Sequence, residues 1–98
     1  MTNVTERLRE VRAQADDALN VVRADQGASP VTVAVVGEFA AKAEKATRVE
    51  NEREAVIELE QAGDSAKAAA EADTGVSDAT RDVVLNAHLA ICVAKSKL

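Results

Sequence analysis

Apolar residues recur along the first part of the chain with a helical period. Val4, Leu8, Val11, Ala15, Ala18 and Val22 follow one another at alternating spacings of four and three, a heptad seam that runs for nearly three repeats. Asn3 followed by Glu6 has the form of a capping box, and Gly27 has the form of a C-terminal stop. The pattern predicts a helix from about Val4 to Asp25. Alanine at the later seam positions lets a second helix come close, and so short a seam needs another helix to cover it.

The pattern is divided where the chain restarts at Ser29-Pro30. Serine as N-cap with proline in the first helical position predicts a helix, whereas the β-branched run Val31–Val36 ending at Gly37 equally predicts a strand. From Glu38 the residues are strong helix formers as far as Ala46, with Glu44 and Arg48 placed to pair. Residues 47–54 hold Val49 as their only apolar side chain, which marks a solvated stretch. Val56, Ile57 and Leu59 restore an apolar stripe that glycine closes at Gly63, and a short alanine-rich helix is expected from Asp64 or Ser65 to about Asp73. Ser77 or Asp78 then caps a last segment with two apolar stripes, one through Val83, Ala87 and Ala94 and one through Val84, His88 and Ile91. Residues 85–93 also alternate as a strand would. The fold class expected is all-α, a single domain over 1–98 built as a bundle of three to four helices with alanine-rich seams. The alternative is an α+β fold with a small sheet of 31–36 and 85–93. No internal repeat, low-complexity tail or interdomain linker is apparent in the pattern.

Composition sharpens this picture in one respect. Of the 98 residues, 21 are alanine and 14 valine, and Phe39 is the only aromatic. A core built from such small side chains is thin for one chain, so self-association or a protein partner is expected. The expected contact residues are Val4, Leu8, Val11, Ala15, Ala18, Val22, Val84 and Ile91. A net charge of -5 with one aromatic side chain excludes modules that stack bases and track phosphates on a basic face. The longest apolar stretches fall short of the roughly 20 residues that span a bilayer. No secretory signal is evident, and Cys92 alone permits no internal disulfide. A cytoplasmic protein is expected; the C-terminal Ser96-Lys97-Leu98 has the form of a peroxisomal address and gives the alternative location.

Candidate chemistry is sparse. The phrase Val33-Ala34-Val35-Val36-Gly37-Glu38-Phe39 resembles the first strand and following loop of bacterial dynamin-like GTPases. The resemblance covers seven residues, and the places of the phosphate loop's second glycine, lysine and hydroxyl hold Lys42, Ala43 and Glu44, which offer a phosphate no complete cradle. His88 and Cys92 stand one helical turn apart, the spacing of two metal ligands or of a nucleophile and its base, but no other histidine or cysteine completes a zinc set. An apolar setting raises a thiol's pKa and leaves it unreactive. The carboxylates, including Asp16-Asp17, Glu50-x-Glu52-x-Glu54 and Glu58-x-Glu60, lack the apolar shield that separates an acid from a base. The expectation is a non-enzymatic assembly or interaction protein with no cofactor or metal, binding itself or another protein but neither nucleic acid nor membrane. The alternative function is a small acidic inhibitor, of the kind phages direct against host defence, that blocks the basic groove of a nucleic-acid enzyme.

Overall fold

A computed structural model describes residues 4–98 as four helices: α1 (Val4–Ala24), α2 (Pro30–Ala46), α3 (Glu52–Ala72) and α4 (Asp78–Ser96). Each helix is antiparallel to the next, and α1 packs on α2 and α4 while α3 packs on α2 and α4. The result is an up-down-up-down bundle, 38 × 20 × 18 Å. No strand occurs among the described residues, so the all-helical expectation is met and the sheet of 31–36 and 85–93 is not.

The caps explain why 31–36 is helical despite its β-branched side chains. Ser29 is extended, its Oγ accepts the Thr32 amide at 3.2 Å, and Pro30 fills the first helical position, where no amide is needed. Thr32 and Val36 face the core from the first turns of α2, with Phe39 a turn further on. The segment resembling a GTPase strand thus lies inside a helix, with no phosphate loop. The helix boundaries at Ala24 and at the Ser77 cap agree with the sequence reading, and the Asn3 cap lies outside the described residues.

Gly63 does not end a helix. It lies in the middle of α3, where a Cβ would come within 3.2 Å of Ile91 Cγ2 and 3.3 Å of Phe39 Cζ. Its missing methyl makes room for the largest core side chain, and α3 continues through it because the buried stripe of Val56, Leu59, Ala66 and Ala70 runs on either side.

The two halves of the chain repeat at a spacing of 48 residues, which the hydrophobic pattern had concealed. The helices Val4–Ala24 and Glu52–Ala72 begin and end 48 residues apart. Buried Leu8, Val11, Ala15, Ala18 and Val22 recur as buried Val56, Leu59, Gly63, Ala66 and Ala70. Likewise Thr32, Val36, Phe39, Ala43 and Ala46 recur as Thr80, Val84, Ala87, Ile91 and Ala94. The bundle is two helical hairpins, α1–α2 and α3–α4, related by a pseudo-twofold axis. Bulk is conserved across the axis, not side by side: Leu8 with Val56 answers Val11 with Leu59, and Phe39 with Ala87 answers Ala43 with Ile91.

The axis passes between the two hairpin turns, which share the pattern Asp-x-Gly-x-Ser-x-x-Thr at 25–32 and 73–80. Asp73 Oδ2 accepts the Ser29 amide at 2.8 Å and the Thr32 hydroxyl at 2.7 Å. Reciprocally, Asp25 Oδ2 accepts the Ser77 amide at 2.9 Å and the Thr80 hydroxyl at 2.6 Å. The other carboxylate oxygen of each aspartate accepts its own turn's glycine amide, both at 3.0 Å. Each hairpin therefore places an anion at the N-terminus of the other hairpin's second helix, where the helix dipole and free amides favour it. For α2, which has no acid in its own first turn, Asp73 supplies the missing charge. The glycines allow this proximity: a Cβ on Gly27 would lie 1.9 Å from the Gly75 carbonyl oxygen, and one on Gly75 would lie 2.1 Å from that of Gly27.

Candidate interaction surface

The contact residues expected from the sequence are already covered by the chain itself. Leu8, Val11, Ala15, Ala18, Val22, Val84 and Ile91 are buried in the core, and Val4 is partly buried against it. The seam of α1 meets α2 and α4 of the same chain, so a partner must use other side chains. The seam's period was legible; a period does not say whether the helix that fills it belongs to the same molecule.

Outside the core, His88 and Cys92 stand on α4 facing α3. His88 Nε2 and Asp64 Oδ1 are 2.7 Å apart, and Lys95 pairs with Glu60 at 3.0 Å beside them. Cys92 Sγ is 3.9 Å from both ring nitrogens of His88. A sulfur equidistant from the two lies on neither nitrogen's in-plane direction, so the ring is not placed to take its proton. Burial, followed by the charges of Glu60 and Asp64, pushes the Cys92 thiol above its ordinary pKa, the reverse of activation. No group of three or more possible metal ligands occurs among the described residues.

The pseudo-symmetry makes a comparison within the molecule possible. The α4–α1 groove, of about 240 Å³, is lined by Arg7, Glu10 and Gln14 on one wall and Asn86, Leu89, Ala90 and Val93 on the other. The equivalent positions of the α2 wall are Glu38, Ala41, Lys42 and Lys45, so three apolar side chains stand beside Asn86 in one half where one alanine and three charged residues stand in the other. Ala41 is exposed, so packing inside the bundle does not call for a leucine at its counterpart. Leu89 is nevertheless 60% exposed.

Polar groups in the α4–α1 groove are also incomplete. The Nε of Arg7 is buried and lacks a hydrogen-bond partner among the described residues, while its Nη1 stands 3.5 Å from Glu10 Oε2. An unpaired buried donor costs roughly 1–3 kcal/mol. Charge is distributed unevenly around the bundle. The helices α1 and α4 each carry as many basic as acidic side chains, whereas α3 has six acids against Arg53 and Lys67. The face formed by α1 and α4 is thus electrically balanced in a chain that is acidic as a whole. The sequence reading missed this surface because Leu89 lies on neither apolar stripe of the last segment and entered only the alternation of residues 85–93.

Comparison of the chain with protein families, with curated protein sequences and with solved structures gives no match. Among the described residues no helix is long and apolar enough to cross a membrane.

Proposed function

We propose that this chain is a non-enzymatic assembly module that pairs with a second copy of itself across the α1–α4 face. The observation that carries the reading is Leu89, a large apolar side chain exposed beside Ala90 and Val93 at positions whose symmetry mates are alanine and lysine. An exposed leucine beside two half-buried apolar side chains, with polar residues around them, has the apolar centre and polar rim of a small interface. The occupant is a second copy because the face is self-complementary. A twofold contact brings the cationic Arg7 and the anionic Glu10 of one copy within reach of their counterparts on the other, and the balanced charge of α1 and α4 spares the pair the repulsion any α3 contact would bring.

The test is molar mass by light scattering over a range of concentrations. The unaltered chain is expected to approach twice 10.3 kDa as concentration rises. Leu89→Asp is expected to hold it at one chain's mass and, in dilute solution where both are monomers, to melt at the same temperature, since the side chain lies outside the core. Val31→Asp, at an exposed position on α2, is expected to leave the dimer intact. An unaltered chain that stays monomeric at high concentration, or a Leu89→Asp chain that, never having been unfolded, gains mass with concentration as the unaltered chain does, overturns the proposal.

The excess of acids on α3 favours a second reading, a competitor for a basic groove on another protein, with Ile57 exposed among Glu54, Glu58 and Gln61. Salt separates the two. Binding through α3 would weaken steeply as ionic strength rises, whereas the apolar contact through Leu89 persists.

A further inference from the structure

The reciprocal turn assigns the molecule a second surface for its own kind. We infer that the face between the two hairpins is a docking surface for a second copy of this chain, which enters by exchange: the α1–α2 hairpin of one molecule closes on the α3–α4 hairpin of the other, and the reverse. The proposal stands apart from pairing through Leu89, because it rests on the pseudo-twofold axis: exchange rebuilds the α4–α1 groove between two chains and needs no further copy seated over Leu89.

Three observations support it. Every polar contact at the turn end that joins the hairpins occurs twice with the same atoms: aspartate to serine amide, and aspartate to threonine hydroxyl. A hairpin from another chain offers identical partners, so exchange sacrifices no hydrogen bond. The only covalent link between the hairpins is the segment 47–51, which joins Ala46 to Glu52 at the opposite end of the bundle. The core also dictates which hairpins match. Phe39 needs the space over Gly63, whose symmetry mate is Ala15, so two first hairpins would crowd their phenylalanines against alanine methyls; two second hairpins would set Ala87 over Gly63 and leave a void. A first hairpin therefore selects a second hairpin, and reciprocal exchange between two chains satisfies both at once.

Deleting residues 47–51 tests the inference. The deletion joins α2 to α3 through Lys45, Ala46, Glu52 and Arg53, all good helix formers, and a continuous helix there holds the two hairpins of one chain apart. The expected result is a particle of twice the monomer mass, or a higher multiple, with the helicity of the unaltered chain by circular dichroism. It should persist when Leu89→Asp is added, which distinguishes it from association through the groove. A folded monomer overturns the inference. If the shortened chain does not fold, the decision passes to full-length chains carrying Leu89→Asp, one isotope-labelled and one not, unfolded together and refolded at high concentration. Native mass spectrometry is expected to show a mixed dimer of the two, and its absence overturns the inference.

Discussion

Asp25 and Asp73 each hold two amides and one hydroxyl, and the pH response of the protein follows from that. Hydrogen bonds from Ser29, Thr32 and Gly75 lower the Asp73 carboxyl to about 2, and those from Thr80, Ser77 and Gly27 lower Asp25. An unfolded aspartate titrates near 3.9. A carboxyl whose pKa is depressed on folding contributes stability that is fully present above its unfolded value and is lost as pH falls toward the folded one. The melting temperature is therefore expected to stay level down to about pH 5 and to drop between there and about pH 2, with a shallower drop in Asp73→Asn. Thr80 is fully buried with its hydroxyl on Asp25, so Thr80→Val is expected to cost about 1.5–3 kcal/mol in denaturant unfolding, the range for hydrogen bonds to charged groups. Cys92 responds in the other direction. With its pKa raised by burial and by Glu60 and Asp64, it should react with a disulfide reagent at neutral pH more slowly than free cysteine does, and a faster rate would contradict the account of its surroundings.

At the scale of helices, glycine has a different meaning in α2 and in α3. Gly37 has only Leu19 Cδ1 near a prospective Cβ, at an ordinary 3.7 Å, whereas Gly63 has Ile91 and Phe39 within 3.4 Å. Gly37→Ala is expected to stabilise by up to about 1 kcal/mol, the helix-propensity difference. In Gly63→Ala the same gain is outweighed by overpacking of about 1–3 kcal/mol against Phe39, so its melting temperature should fall. The sequence alone ended one helix at Gly63 because glycine commonly ends helices, and nothing local announces that a phenylalanine distant in sequence needs the space. The Ser29 and Ser77 caps were legible because capping is local. The repeat was not, because Leu8 with Val56 and Phe39 with Ala87 exchange bulk across the axis, and the shared residues of the turns are small and polar.

For the whole molecule, the shortage of large apolar side chains led to a partner being expected for the seam of α1, and the structure supplies one from within. Alanines at Ala15, Ala18, Ala43, Ala66, Ala70 and Ala94, all fully buried, bring the backbones close enough for few large side chains to fill the centre. Leu8→Asp therefore disrupts the monomer and is no probe of assembly, whereas Leu89 was hidden in the sequence by its apolar neighbours. The reciprocal turn has a mechanical consequence. It clamps one end of the rod with four hydrogen bonds and two interlocked glycines, while the other end has a five-residue linker, the start of α1 and the end of α4. Fraying should start at the linker end and travel toward the clamp. Deuterium uptake is accordingly expected to reach the Thr47 and Lys97 amides early and those of Thr32 and Thr80 last, giving an outwardly symmetric rod one loose end and one slow end.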